Sequence, residues 1–150
     1  MITVTGDLTV AAGVTLRLLP GTEVRFTSTD GQASGVDPQR VELIVAGALI
    51  AETASPPITF TSAASSPAPS DWYGLRFLPG SNGTLSGTLI QYGVGGVAVD
   101  RADVSLLGNT IRRMRGADGP RGLGGPGGMG GPAYGISYTL EGVSLTLQAN

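Results

Sequence analysis

The chain is built from short runs in which every second residue is apolar, and this alternation constrains its fold more than any other feature. Leu8-Thr9-Val10, Val14-Thr15-Leu16-Arg17-Leu18, Val24-Arg25-Phe26, Ile58-Thr59-Phe60, Leu75-Arg76-Phe77, Val104-Ser105-Leu106 and Val143-Ser144-Leu145-Thr146-Leu147 all follow it. Period 2 sends alternate side chains to opposite faces of a strand, one inward and one to water. No long window carries apolar residues at i, i+3, i+4 and i+7, so helices are not expected. Gly13, Pro20-Gly21, Gly47, Pro56-Pro57, Pro79-Gly80, Gly87 and Gly108-Asn109 punctuate the runs as turns.

The runs echo one another at unequal spacing. Ile2-Thr3-Val4 resembles Leu43-Ile44-Val45 at a shift of 41, and Val24-Arg25-Phe26 resembles Ile58-Thr59-Phe60 at 34. Gly96-Val97 with Val104-Ser105-Leu106 resembles Gly135-Ile136 with Val143-Ser144-Leu145 at 39. Unequal shifts fit a stacked unit of roughly 20 residues with loops of varying length between strands. Three segments read as such loops: 29–40, 62–70 and the glycine-rich 116–133. In the last, Gly116, Gly119, Gly122, Gly125, Gly128 and Gly131 open six consecutive Gly-X-Y triplets. A surface loop, a polyproline-II-like strand packed beside the rungs and a collagen-like strand all fit that segment; the loop is the simplest, and a triple helix needs three chains.

The order Val4-Thr5-Gly6-Asp7-Leu8, Pro20-Gly21-Thr22-Glu23-Val24-Arg25-Phe26, Pro57-Ile58-Thr59-Phe60-Thr61-Ser62, Asp71-Trp72-Tyr73-Gly74-Leu75-Arg76-Phe77, Leu89-Ile90-Gln91-Tyr92 and Tyr134-Gly135-Ile136 resembles bacterial secreted and surface β-helix proteins of the pectin-lyase-like superfamily. The resemblance implies an all-β, right-handed parallel β-helix of about five coils, with three sheets wound around one apolar column. It implies a single domain over 1–150 with insertions at 29–40 and 116–133. The expected inward set is Leu8, Leu16, Val24, Phe26, Leu43, Val45, Ile58, Phe60, Leu75, Phe77, Ile90, Val97, Val104, Leu106, Ile111, Ile136, Val143 and Leu145. The superfamily's polysaccharide-cleaving members use Asp ligands for calcium and an Arg or Lys base, but no motif here accepts those roles residue by residue.

Composition narrows the chemistry. The chain has no His, no Cys and no Lys; its nine cations are all Arg, against eleven acids. The commonest general base, Schiff-base chemistry and Cys-based zinc sites are therefore excluded. A net charge of −2 gives no electrostatic reason to bind nucleic acid. No apolar run is long enough to insert in a membrane. No charged start followed by an apolar stretch opens the chain, so a mature or excised segment is expected.

The remaining candidates are few. Asp100 and Asp103 beside Arg101 suit a solvated turn better than a metal cluster, which needs several convergent oxygen ligands. Asp7, Asp30, Asp37, Asp71 and Asp118 adjoin turn residues, where Asp accepts local backbone hydrogen bonds. Arg112, Arg113, Arg115 and Arg121 form the one local positive patch, suited to a solvated loop flank or to an acidic glycan. Phe26, Phe60 and Phe77 are expected to stack in the core, with Trp72 covering a corner; Tyr73 and Tyr138 are left open. Thr3, Thr9, Thr15 and Thr59 are outward, but Arg17, Arg25, Ile44 and Arg76 break the flat threonine array that ice binding needs. Asn82-Gly83-Thr84 is a formal glycosylation sequon that reads more simply as a turn.

The expectation is a non-enzymatic extracellular or cell-surface segment, structural or adhesive, without catalytic residues, cofactor or metal. Both ends read as strand without a polar cap. Head-to-tail stacking into a filament, or contact with neighbouring parts of a longer chain, is expected. A polysaccharide-binding surface and a lyase-like remnant are the alternatives.

Overall fold

The computed structural model describes residues 1–115, 134–139 and 145–148, with side chains described for 1–115 and 135–139. Among these residues there are no helices. Fifteen strands follow one another in five successive trios. They are β1 (Ile2–Val4), β2 (Leu8–Val10) and β3 (Thr15–Leu18); then β4 (Glu23–Phe26), β5 (Glu42–Val45) and β6 (Ala48–Glu52). Next come β7 (Thr59–Ser62), β8 (Gly74–Phe77) and β9 (Asn82–Ser86), followed by β10 (Leu89–Gln91), β11 (Gly95–Asp100) and β12 (Asp103–Leu107). The last trio is β13 (Thr110–Arg112), β14 (Tyr134–Thr139) and β15 (Leu145–Gln148).

Each trio gives one strand to each of three five-stranded parallel sheets. Sheet A orders β1-β4-β7-β10-β13, sheet B β2-β5-β8-β11-β14 and sheet C β3-β6-β9-β12-β15. Every strand thus stacks on its counterpart in the neighbouring trio, which fits a β-solenoid. Each trio is called a rung below.

The inward columns form the core. Val24, Phe26, Leu43, Val45, Ile58, Phe60, Leu75, Phe77, Ile90, Val97, Val104 and Leu106 are buried, as the alternation predicts. Leu16, Ile111 and Ile136 are only partly buried, and Leu8 is exposed. All four lie in the first or last rung, where an inward side chain has a neighbour on one side only. Val143 lies outside the described residues, as does the Leu145 side chain.

Pairing departs from the sequence echoes in an instructive way. Val24 lies opposite Phe60, not Ile58, and Val104 opposite Leu145, not Val143. Each slip is two residues, which leaves every side chain on its expected face. The echo between Ile2-Thr3-Val4 and Leu43-Ile44-Val45 joins strands of different sheets: Ile2 pairs with Val24, and Leu43 with Leu8. The echo of Val97 with Ile136 is the observed register.

Asn82-Gly83-Thr84 is not a turn but part of β9. Gly83 sits in the inward column between Leu49 and Val104. A Cβ there would approach the Phe77 ring to 2.4 Å, so the missing side chain makes room for the phenyl group. Gly83→Val should therefore destabilise the fold by about 1–3 kcal/mol, the usual cost of overpacking. Adding Phe77→Leu should recover part of that loss in urea denaturation. A double variant no more stable than Gly83→Val alone would contradict this packing.

The connections are not evenly distributed. From sheet A to sheet B the chain uses short turns in the first and fourth rungs, but long stretches at 27–41, 63–73 and 113–133 in the second, third and fifth. The segments 29–40 and 62–70 noted in the sequence both fall at this one corner. Residues 116–133 lie outside the described residues.

Candidate functional site: the outer face of sheet A beside the loop corner

Two of the long loops are tied down by side chains rather than by strand pairing. Asp30 closes its own turn by accepting from the backbone N–H of Gln32 (2.9 Å) and Ser34 (2.8 Å). Desolvation, the largest single influence, pushes the Asp30 carboxyl up, but these donors, joined by the backbone N–H groups of Asp7 and Ala33, together outweigh it and hold the group below its ordinary value. Asp37 accepts from Gln39 N and pairs with Arg40 at 2.7 Å. Arg40 also donates from Nε to the Ser70 carbonyl, joining one loop to the next. In the second loop, Asp71 Oδ2 accepts from the Ser62 hydroxyl and from Ala68 N.

Two carboxylates go further than local turn formation. Asp7 accepts the backbone N–H of Glu42 at 2.8 Å and the Ser34 hydroxyl at 2.7 Å. Glu42, fully buried, accepts from Val36 N and Asp37 N and pairs with Arg76. On β5 Glu42 shares the outward phase of Ile44, but the 27–41 loop folds over it. The sequence offered no sign of this, because the loop that buries Glu42 lies outside the strand pattern.

Trp72 also departs from expectation. It does not cover a corner but lies wholly inside it, stacked on Phe26 with ring centroids 4.2 Å apart and planes within 6°. Its indole N–H donates to the Gln91 carbonyl at 2.9 Å. Phe60 and Phe77 are buried in the core as expected. Asn109, expected only as turn punctuation, is a buried staple between rungs. Its Oδ1 accepts from Thr88 N and Thr88 Oγ1, and its Nδ2 donates to the Leu85 carbonyl.

Against this internal framework, the outer face of sheet A presents a groove of about 550 Å³ beside the loop corner. Its lining includes Glu23, Arg25, Thr61, Ser62, Gln91 and Tyr92, with Ser65 and Pro67 of the 63–73 loop as one wall. On its floor Gln91 Nε2 donates to Thr61 Oγ1 (3.3 Å), and Arg112, on the neighbouring strand outside the lining, donates from Nε to Gln91 Oε1 (3.0 Å). Arg25 is paired with Glu23 at 3.1 Å. Its shielded Nε is the buried side-chain nitrogen left without an acceptor among the described residues.

Tyr92 and Arg113 each follow the sheet A strand of their rung, and both adopt left-handed backbone angles, φ 67° and 57°. Non-glycine residues seldom stay there unless their surroundings hold them. The Arg113 guanidinium lies 5.1 Å from the centre of the Tyr92 ring and donates to the Tyr92 hydroxyl.

The other sequence candidates are dispersed. Asp100 pairs with its neighbour Arg101 on the surface. Asp103 is exposed at the start of β12, and its backbone N–H donates to the Ser81 carbonyl. The Arg115 carbonyl accepts from the Ser70 hydroxyl, while Arg121 and Asp118 lie outside the described residues. Tyr73 is half-buried. Tyr138 pairs with Val99 in an inward column yet is 59% exposed, because it stands on the last rung. Thr3, Thr9 and Thr15 lie beside Arg25, Ile44 and Ala48, so no continuous threonine array forms.

A second groove, of about 490 Å³, lies between the two described long loops and holds Asp30 and Asp71. Both carboxylates are already engaged by the donors described above. Among the described residues no three His, Cys, Asp or Glu side chains converge as a metal site. No protein-family model, curated protein or solved structure matches the chain.

Proposed function

We propose that the chain is a right-handed parallel β-helix segment, akin to the pectin-lyase-like superfamily, that serves as a non-catalytic structural or adhesive element outside the cell. Right-handedness is supported by the strong bias of crossovers between parallel strands of one sheet. The observation that carries the functional reading is the use made of the corner acids. Asp7, Glu42 and Asp71 hold loops to the rungs, and Asp30 and Asp37 close turns within a loop, so these carboxylates serve rigidity rather than acid–base chemistry. Such a rod suits spacing, adhesion or assembly.

End-to-end stacking belongs to the same proposal. Among the described residues, the first rung leaves one edge of β1, β2 and β3 unpaired. Ile2 is 48% exposed and Leu8 36%, although both occupy inward columns. A further rung placed on this edge would satisfy the backbone and cover these side chains. The 150-residue chain is therefore expected to associate with rising concentration, in a head-to-tail manner that does not close. Light scattering should show mass increasing with concentration, and Ile2→Asp with Leu8→Asp should abolish it. A stable monomer at high concentration would overturn the assembly reading. Release of cleaved product from any polysaccharide would overturn the non-catalytic one.

The groove on sheet A favours a second reading, a polysaccharide-binding surface. It is open, polar and lined by hydroxyl, amide and guanidinium groups beside one tyrosine ring.

A further inference from the structure

Asn82-Gly83-Thr84 is the one Asn-X-Ser/Thr triplet in the chain. An asparagine so placed is an acceptor for N-linked sugar, provided that the fold leaves it at the surface. The core uses only the middle residue, since Gly83 makes room for the Phe77 ring. Asn82 and Thr84 point the other way. They stand two residues apart on β9, about 7 Å along the strand, on the outer face of sheet C. Asn82 is exposed and Thr84 half-buried. Asn109, by contrast, is buried and spends its amide on Thr88 and the Leu85 carbonyl.

The surroundings of Asn82 have room for a sugar. Its column on sheet C runs Thr15, Ala48, Asn82 and Asp103, so the neighbour on the preceding rung ends at a methyl group. A hollow of about 250 Å³ opens on the same side, lined by Asn82 with Gly13, Val14, Gly47 and Gly80. Gly13 and Gly80 keep it open, since a Cβ on either would meet nothing within 4 Å. Val14, 52% exposed, gives it an apolar wall that the C–H face of a pyranose ring can cover. In the first four rungs the chain passes from sheet B to sheet C by short connections, at 11–14, 46–47, 78–81 and 101–102. This corner is thus free of the long loops that crowd the corner between sheets A and B.

Resting on the extracellular reading above, we infer that Asn82 carries an N-linked glycan whose first sugar sits in this hollow. Asn82 Nδ2 attacks C1 of a sugar held on a diphosphate carrier. The C1–O bond breaks, the diphosphate leaves with the bonding pair, and one Nδ2 proton passes to a base of the transferase. Thr84 supplies the hydroxyl that completes the acceptor triplet. In the finished fold the Asn82 backbone N–H donates to the Gly47 carbonyl at 3.0 Å, and β9 lies between β6 and β12. Transfer therefore precedes closure of these rungs, and the fold then keeps the sugar on the flank of the rod. The third rung stands two rungs, about 10 Å, from the edge of the first, so the glycan and the end-to-end contact coexist.

The test is peptide mass mapping of the protein from the cells that produce it, with surface and interior fractions taken apart. The expected result is a sugar mass on Asn82 in the surface protein. Thr84→Ser should keep it, while Asn82→Gln and Thr84→Val should each lose it completely. Both side chains lie on the outer face, so circular dichroism should show these variants folded. Hydrogen exchange at residues 13–15 should be slower in the glycosylated protein than in Asn82→Gln, because the sugar covers Val14. Equal exchange in the two would overturn the seat in the hollow. Surface protein with Asn82 bare, or a sugar mass that persists in Thr84→Val, would overturn the inference while leaving the extracellular rod standing. Protein confined to the interior with Asn82 bare would overturn both.

Discussion

Trp72→Ala is expected to cost about 3–5 kcal/mol of stability, the range for removing a large aromatic side chain from a packed interior. For a domain whose total stability is of the order of 5–15 kcal/mol, that is a large fraction. The ring is fully buried and stacked face to face on Phe26, a residue of the preceding rung. Truncation therefore empties a cavity between rungs and removes one wall from Phe26 as well. It also leaves the Gln91 carbonyl without its indole donor. Gln91 is the middle member of the polar ladder on the outer face, so the loss should propagate from the core to the groove. Trp72→Phe keeps most of the stacking area and loses the hydrogen bond, and should cost roughly 1–2 kcal/mol. Urea denaturation followed by far-ultraviolet circular dichroism measures both. A Trp72→Ala midpoint close to that of the wild type would contradict the buried, stacked placement.

What the sequence made legible was the direction each side chain faces, because period 2 acts within a single strand. Phe26, Leu43, Phe77 and Leu106 are inward for that reason alone. Pairing between strands was harder to read. A two-residue slip preserves the faces, so Val24 against Ile58 and Val24 against Phe60 look equally good in the sequence. The likeness of β1 to β5 arises because both are short β-branched runs before a glycine, which says nothing about which sheet they join. Leu8 followed the pattern yet is exposed, because alternation does not report how many rungs lie beyond a strand. The Asn-Gly pair at 82–83 carries strong turn chemistry, and the Phe77 ring overrides it by requiring an inward glycine.

The groove was legible only in pieces. Arg112 and Arg113 stood out as a positive patch, but Arg25, Thr61 and Gln91 lie far apart in the chain and meet only through the register of sheet A. Both described long loops leave sheet A at register-matched positions, after Phe26 and after Ser62. Trp72 was placed at a corner correctly but on the wrong side of it. The indole stacks on Phe26 and donates to the Gln91 carbonyl, so it lies within the corner instead of over it.

Glu42→Ala should destabilise the chain by about 3–5 kcal/mol, the cost of breaking a buried ion pair by removing one partner. Burying a lone carboxylate is strongly unfavourable, so its partners must be in place for the loop to close over it. One oxygen accepts the backbone N–H of Val36 at 2.6 Å and of Asp37 at 3.0 Å, and the other meets Arg76 at 2.5 Å. Asp7 holds the other side of the same loop through Ser34 and the Glu42 backbone. Between the two acids lies Gly35, at φ 69°, where a Cβ would come within 2.6 Å of an oxygen from each. The loop, the two acids and the glycine thus form one unit that locks residues 34–37 onto the second rung. Alanine at 42 leaves two amides without an acceptor and the Arg76 cation without its partner. Glutamine retains an acceptor for the amides but loses the ion pair, so Glu42→Gln should cost less than alanine. The half-exposed pair of Arg25 with Glu23 supplies the comparison: Glu23→Ala should change stability by about 1 kcal/mol or less. Hydrogen exchange adds a local reading, since the amides of Val36 and Asp37 should lose protection in Glu42→Ala and keep it in Glu23→Ala. Equal stability losses in the two alanine variants, with both amides still protected, would show that the loop is held by something other than Glu42.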